Sequence, residues 1–188
     1  MALTIEKEEQ WTNKIHALEA AAWQAIKWIP EAEELLESCL DSKRSTRERE
    51  LQALEACVED LASQELLSSD AKSSISEAKL ALARARALRW DLVMEIEYMV
   101  RSESSRLAKL HFVAFEDLVQ EGYLGALQAA RRFECGRDVR FATYARWWIR
   151  AQITRCLEHQ GRIVRIPGGA VELRRNIRHC IAERERHG

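Results

Sequence analysis

Residues 141–150 read Phe-Ala-Thr-Tyr-Ala-Arg-Trp-Trp-Ile-Arg, and this stretch predicts a helix with aromatic rings along one side. At about 100° per residue, four aromatic side chains fall within an arc of about 120° on such a helix. They are Phe141, Tyr144, Trp147 and Trp148, with Arg140 and Arg155 near the edges of the arc. Aromatic residues at helical spacing most often pack into a core, whereas a stripe bordered by guanidinium groups also suits stacking on unpaired bases. Spacing alone leaves both interpretations open.

The composition around this stretch predicts an all-α protein. The 188 residues include seven glycines and two prolines, and no alternating strand pattern of convincing length is present. We therefore expect a helical bundle. The helices are expected over residues 4–29, 31–40, 45–67, 74–100, 116–133 and 141–159, with a further helix from about Ala170. In the first helix the core-facing stripe is predicted to be Trp11, Ile15, Leu18, Ala22 and Ile26.

Serine-rich stretches mark the expected breaks between these helices. Ser45 with Glu48, and Ser74 with Glu77, have the capping-box spacing that opens a helix. Residues 68–74 are accordingly predicted to be a linker. The polar segment 101–109 is predicted to be a loop or a short helical excursion.

Charge is divided unequally along the chain. Residues 131–188 contain 14 Arg, no Lys and 6 acidic residues, a balance of +8, so the first 130 residues carry −9. This division suggests a polyanion on one surface and a different partner on the other. Because lysine is absent from the basic part, planar or bidentate contacts are favoured over general solubility.

Other classes of function find little support in the sequence. There is no glycine-rich phosphate loop, nucleophile elbow or His-Glu-x-x-His motif, so we expect neither an enzyme nor a small-molecule substrate. The five cysteines are scattered, and their spacing to histidine matches no standard zinc pattern, so no cofactor or metal is expected. The acidic N-terminus and the lack of a long apolar run predict a cytoplasmic protein with no membrane partner.

The segments between Phe115 and Pro167 closely resemble the core-binding and promoter-melting domain of bacterial primary-type sigma factors, the sigma-seventy class. They read Asp117-Leu-Val-Gln-Glu-Gly-Tyr-Leu-Gly-Ala-Leu, Arg132-Phe-Glu, Arg140-Phe-Ala-Thr-Tyr-Ala-Arg-Trp-Trp-Ile-Arg-Ala-Gln-Ile-Thr-Arg and Arg162-Ile-Val-Arg-Ile-Pro. The resemblance implies an N-terminal helical segment similar to sigma region 1.2 over 1–40 and a short variable insert or linker over 41–80. It further implies region 2-like helices over 81–167 and the start of a region 3-like helix over 168–188. We expect the chain to end before the domain that reads the −35 element.

The resemblance also implies two partners. Core RNA polymerase would be bound through the clamp coiled coil of its largest subunit, and an anti-sigma factor is a further partner that the resemblance leaves open. The residues implied in polymerase binding are Asp117, Gln120, Glu121, Tyr123 and Leu127.

The second implied partner is promoter DNA, above all the non-template strand of the −10 element. The residues implied in single-strand binding and melting are Phe133, Arg137, Arg140, Phe141, Tyr144, Trp147, Trp148 and Arg150; those implied at duplex DNA are Thr154, Arg155, Arg162, Arg165 and Glu172. Trp147 and Trp148 resemble the wedge that replaces a separated base pair. Tyr144, with Phe133 and Arg137, resembles the pocket for a flipped adenine.

The chain departs from the family pattern at several positions, including Val139, at a usually aromatic position, and Gly169, in place of a histidine. Tyr123 replaces a usual asparagine, and Arg89 stands where an asparagine that helps bind a flipped thymine is expected. Gln152 exchanges places with its neighbour and is therefore turned by about 100° from the duplex-reading position. The alternatives to a sigma factor, or a fragment of one, are a sigma-like protein that binds the clamp without supporting initiation and a helical adaptor whose aromatic stripe is buried.

Overall fold

The computed structural model describes residues 4–32, 47–64, 68–108, 113–135 and 139–160, together with 177, 181, 183 and 184. Within these ranges every regular element is a helix, so the predicted all-α class is confirmed. The helices are α1 (Ile5–Ile26), α2 (Arg47–Ser63), α3 (Ser69–Met94), α4 (Glu97–Ala108), α5 (Phe115–Arg132) and α6 (Phe141–Gln160). The predicted helix near Ala170 lies outside the described residues.

Two apolar clusters form the core of the bundle. The first joins α1, α2 and the first half of α3, and it contains Ile26, Leu54 and Leu82. The second joins the end of α3 to α4, α5 and α6, and it contains Leu118 and Ile149. Helix α3 runs through both clusters, so it connects the N-terminal helices to those that carry the candidate site.

Helix α1 buries most of the predicted stripe. Ile15, Ala22 and Ile26 are buried, while Trp11 and Leu18 are half-buried. The helix begins where Thr4 accepts a hydrogen bond from the backbone N–H of Lys7 at 3.3 Å. Its second half packs in the first core cluster, and Trp11 packs against the second.

Helices α5 and α6 pack with their backbones in close contact. A Cβ atom added at Gly125 would lie 2.7 Å from the carbonyl oxygen of Trp148, which is closer than any side chain permits. A Cβ atom added at Gly122 would lie 2.8 Å from a methyl group of Val100. Gly125 is therefore required for the close approach of α6 to α5, and Gly122 allows the close packing of Val100, on α4, against α5.

The sequence prediction is wrong at the start of α3. The helix begins at Ser69, and Ser68 caps it by accepting a hydrogen bond from the N–H of Ala71 at 3.2 Å. Ser74 and Glu77 lie inside the helix, so residues 69–74 form no linker. Burial of Ala71 and Ile75 in the first cluster extends the helix by about a turn and a half beyond the predicted start. Helix α2 also lies within the segment that was expected to be a variable insert, and it contributes residues to the first core cluster.

Residues 101–108 are helical, which is the second of the two predicted alternatives for the polar segment 101–109. They continue α4, which starts at Glu97 after a turn at residues 95–96. The polar residues Glu103 and Ser104 are buried in it because their partners lie on other helices: Ser104 donates to the carbonyl of Leu118 at 3.1 Å. A polar sequence formed a helix here because its buried polar groups are satisfied across the bundle.

No helix in the described part of the chain is both long enough and apolar enough to cross a membrane.

Candidate nucleic-acid interface

The helix that carries the aromatic stripe is capped by a residue far away in the sequence. The buried carboxylate of Glu8, on α1, accepts hydrogen bonds from the backbone N–H of Phe141 at 2.8 Å and from Nε of Arg140 at 3.0 Å. A carboxylate at a helix N-terminus satisfies unpaired N–H groups and complements the positive end of the helix dipole. The orientation of α6 is thereby tied to α1.

The aromatic stripe is divided between core and surface. Phe141 is fully buried and meets the ring of Phe133, which is also buried, edge-on at 5.3 Å between centroids. Tyr144 and Trp148 are half-buried, whereas Trp147 is 74% exposed. Packing places the rings of Phe141 and Phe133, both implied in single-strand binding, beneath the surface. They support Tyr144, whose ring lies 5.8 Å from that of Phe133.

Trp148 is fixed from two sides. The guanidinium of Arg132 lies 4.3 Å from its ring centroid, in a cation–π contact, and Tyr144 lies 6.2 Å away. Arg132 is in turn paired with the carboxylate of Glu48 at the start of α2. Arg47, the residue before Glu48, donates a hydrogen bond to the carbonyl of Phe133, the residue after Arg132, at 3.1 Å. The first turn of α2 therefore positions the end of α5 beneath the aromatic face.

Two arginines predicted to hold phosphates are engaged within the chain. Arg140 pairs with Glu8, and Arg150 makes two hydrogen bonds to Glu103, of 2.9 and 2.8 Å. The bonds from Arg150 lower the pKa of Glu103, although burial acts in the opposite direction, and they raise the pKa of Arg150. Any phosphate would have to bind the outward N–H groups of these guanidinium groups.

The residues predicted at duplex DNA are only partly within the described chain. Thr154 and Arg155 are exposed on α6. Gln152 faces α5, where its side-chain amide donates to Glu121 at 2.9 Å, in agreement with the predicted turn away from the duplex-reading position. The remaining predicted DNA residues, Arg137, Arg162, Arg165 and Glu172, lie outside the described residues.

An acidic and apolar face runs along α5, on the side away from its glycines. Asp117 and Gln120 are exposed on it and Leu127 is half-buried. Glu121, at the edge of this face, accepts the bond from Gln152. Sequence reasoning missed Leu124, which is 50% exposed at the centre of the face. The signal was its spacing, since positions 117, 120, 124 and 127 repeat at intervals of three and four.

Tyr123 does not belong to this face. Its ring lies 5.8 Å from that of Trp90 on α3, which places it toward the α3–α4 side of α5. Burial, followed by the charge of Glu97 and a hydrogen bond to it, raises the pKa of Tyr123. A polymerase contact through Tyr123 would have to include the exposed Trp90.

Arg89 is buried, so it does not present its guanidinium to a base. It donates to Glu19 on α1 at 2.8 Å and lies 3.5 Å from Glu55 on α2. Burial lowers its pKa and the two carboxylates raise it. The Arg89 side chain thus joins the three N-terminal helices.

The described residues contain no group of three or more His, Cys, Asp or Glu side chains that could hold a metal ion. Cys156 is buried on α6, and burial, with the nearby charges of Glu121 and Asp117, raises the pKa of its thiol. These features mark Cys156 as a packing residue.

Comparison of the sequence with known proteins finds matches that include α5 and α6. The family described as Sigma-70 region 2 matches residues 94–163. The RNA polymerase sigma factor SigA1 of Synechococcus elongatus is 35% identical over 125 residues, which is 63% of this chain and 31% of that protein. The RNA polymerase sigma factors SigA of Nostoc and Synechocystis are each 47% identical over 55 residues, 29% of this chain and 14% and 13% of theirs.

These matches span about a third or less of the length of the curated relatives. The matched region contains α4, α5 and α6, that is, the acidic face, the two glycines and the aromatic stripe. The part of the chain that contains α4, α5 and α6 therefore matches the Sigma-70 region 2 family.

Proposed function

We propose that this chain acts as a sigma factor, or as part of one, which binds core RNA polymerase and opens the −10 element of promoters. The observation that carries the proposal is the face formed by Tyr144, Trp147 and Trp148 on α6. Trp147 is largely exposed, and Trp148 is held against Arg132. Exposed rings on a rigid helix can stack on bases that have left the duplex.

The energies involved allow opening without ATP. Unstacking and unpairing a base costs on the order of a few kcal/mol. Stacking on an aromatic side chain returns ~1–3 kcal/mol per base. For each base, stacking therefore offsets much of the cost of leaving the duplex, provided that the rings are already in place. The packing of Phe141 and the cap from Glu8 provide this preorganisation.

The face of α5 that contains Asp117, Gln120 and Leu124 is the proposed polymerase-binding surface. It combines an exposed leucine with acidic and polar neighbours, a pattern that suits a partner helix with apolar and basic residues. Because α5 and α6 are packed in close contact at Gly125, binding of the polymerase at α5 would also fix the position of the aromatic face. The proposal places the protein in the cytoplasm, at the polymerase and the nucleoid.

The test measures loading and opening separately in complexes of the full chain with core polymerase. Loading is followed by co-purification, and opening by fluorescence of 2-aminopurine placed in the −10 element. Trp148→Ala should reduce opening more than loading, and Leu124→Ala should reduce loading. Tyr98→Ala removes another exposed aromatic residue, on α4, and serves as the matched control. Equal loss of opening in Trp148→Ala and Tyr98→Ala would contradict the proposal.

A second candidate function follows from the internal ion pairs. Arg140 and Arg150 are bonded to Glu8 and Glu103, which reduces the positive charge that they offer to a DNA strand. A sigma-like protein that occupies the polymerase clamp without supporting initiation would have this character. Abortive transcription from an extended −10 promoter by the reconstituted complex would exclude it.

A further inference from the structure

Three arginines from two helices converge on one buried carboxylate. Glu103 on α4 lies 2.8 Å from Arg150, 2.9 Å from Arg106 and 3.8 Å from Arg146. Arg146 and Arg150 are on α6, one turn apart, whereas Arg106 is on α4, one turn after Glu103. We call these four residues the arginine cluster. It bridges α4 and α6 at the edge of the candidate interface.

The carboxylate of Glu103 has too few acceptor positions for all the N–H donors of the three arginines. Each guanidinium carries five N–H donors in a fixed plane, and a carboxylate offers roughly four acceptor positions. Most of the fifteen or so donors of the three groups therefore remain for another acceptor. The three arginine side chains are between 38% and 59% exposed, and Glu103 is only 10% exposed, so the remaining donors lie on the solvent side. The cluster keeps a formal charge of +2.

The position of the cluster relates it to the aromatic face. Arg146 directly precedes Trp147, and successive residues on a helix are separated by about 100°. Trp147 therefore stands between the arginine cluster on one side and Trp148, with Arg132, on the other. A strand whose bases stack on Trp147 would bring its backbone within reach of both flanks.

We propose that the arginine cluster is a binding site for backbone phosphate of the single strand held on α6, and that Arg106 and Arg146 are phosphate contacts in addition to Arg150. Guanidinium groups fixed in a planar fork match the geometry of phosphate oxygens. Glu103 is a positioning residue, since it holds the three groups at one point against their mutual repulsion. The inference rests on the proposed function, which it extends from α6 onto α4.

The experiment compares three fluorescent strands of equal length binding to the full chain: the −10 non-template sequence, a scrambled sequence and an abasic strand. Phosphate contacts carry no sequence information. Arg106→Ala should therefore weaken binding of all three strands by the same factor, several-fold at low salt. It should also reduce the slope of log affinity against log salt by about 0.7, the value for one phosphate contact on a single strand. Arg106→Lys should restore the salt slope but only part of the affinity, because an ammonium group keeps the charge without the planar fork.

Arg84→Ala is the matched control. It removes the same charge from an exposed position on α3, a helix that packs on α1 and α2. Equal effects of Arg106→Ala and Arg84→Ala on all strands would overturn the inference. Trp147→Ala should instead weaken the two base-bearing strands and leave the abasic strand unchanged. If Trp147→Ala leaves binding of all three strands unchanged, the proposed function is contradicted. The result for Arg106→Ala then still decides whether the phosphate site exists.

Discussion

Phe141 and Trp147 lie on the same aromatic stripe but are expected to respond differently to substitution. Phe141→Ala empties a fully buried position and should lower the free energy of unfolding by ~3–5 kcal/mol. Trp147→Ala, at a largely exposed position, should change it by less than about 0.5 kcal/mol while weakening strand binding. Urea unfolding of both variants, followed by circular dichroism, checks the prediction. Similar losses of stability in the two variants would show that the stripe is not divided.

The spacing predicted which aromatic residues share one side of α6, but not which of them are buried and which are exposed. Four aromatics within one arc can face either a core or a ligand. What buries Phe141 is the packing of Phe133 from the end of α5 and the cap from Glu8, which is 133 residues away in the sequence. Neither contact is encoded in the local pattern.

Glu103 predicts an acid-dependent loss of stability. Hydrogen bonds from Arg150, with the charges of Arg106 and Arg146, hold its pKa below the ordinary value of 4.5. Because its pKa is lower in the folded state, its stabilisation is fully present above the unfolded pKa and is lost as pH falls through the folded pKa. Stability measured between neutral pH and pH about 3 should therefore fall less steeply in Glu103→Gln than in the unmodified chain. Parallel pH profiles would contradict the assignment.

At the scale of elements, the two glycines of α5 should differ in their tolerance of alanine. In Gly125→Ala the new Cβ meets backbone atoms of α6, which can be relieved only by moving the helices apart. In Gly122→Ala it meets the end of the Val100 side chain, which can rotate. Overpacking costs typically 1–3 kcal/mol, against a gain of ~1 kcal/mol in helix propensity. Gly125→Ala should therefore be clearly the less stable variant on thermal unfolding; the reverse order would contradict the α5–α6 packing.

The sequence predicted some helices closely and others poorly, for physical reasons. Helices α5 and α6 were predicted to within one residue, because each has a strong apolar face and a polar turn follows α5. The start of α3 was wrong because two serines have capping potential and burial of Ala71 selects the earlier one. The sequence left residues 101–109 open between a loop and a short helix, because the buried face of α4 includes Glu103 and Ser104, whose partners lie on α6 and α5.

At the scale of the whole molecule, some of the charges that divide the sequence into an acidic and a basic part are paired with each other inside the fold. Acidic residues of α1, α2 and α4 pair with arginines of the basic third. The pairs are Glu8 with Arg140, Glu48 with Arg132, Glu55 with Arg131, and Glu103 with Arg146 and Arg150. The +8 balance of residues 131–188 therefore overstates the positive surface offered to DNA. The same pairs connect the N-terminal helices to the aromatic face.

The central claim is that the face of Tyr144, Trp147 and Trp148 takes up −10 bases when the chain is bound to polymerase. The most direct measurement is the affinity of the complex of full chain and core polymerase for the −10 non-template strand relative to a scrambled strand of equal length. We expect selective binding of the −10 strand, and loss of that selectivity in Trp148→Ala with polymerase binding retained. Equal affinity of the unmodified complex for the two strands would contradict the claim.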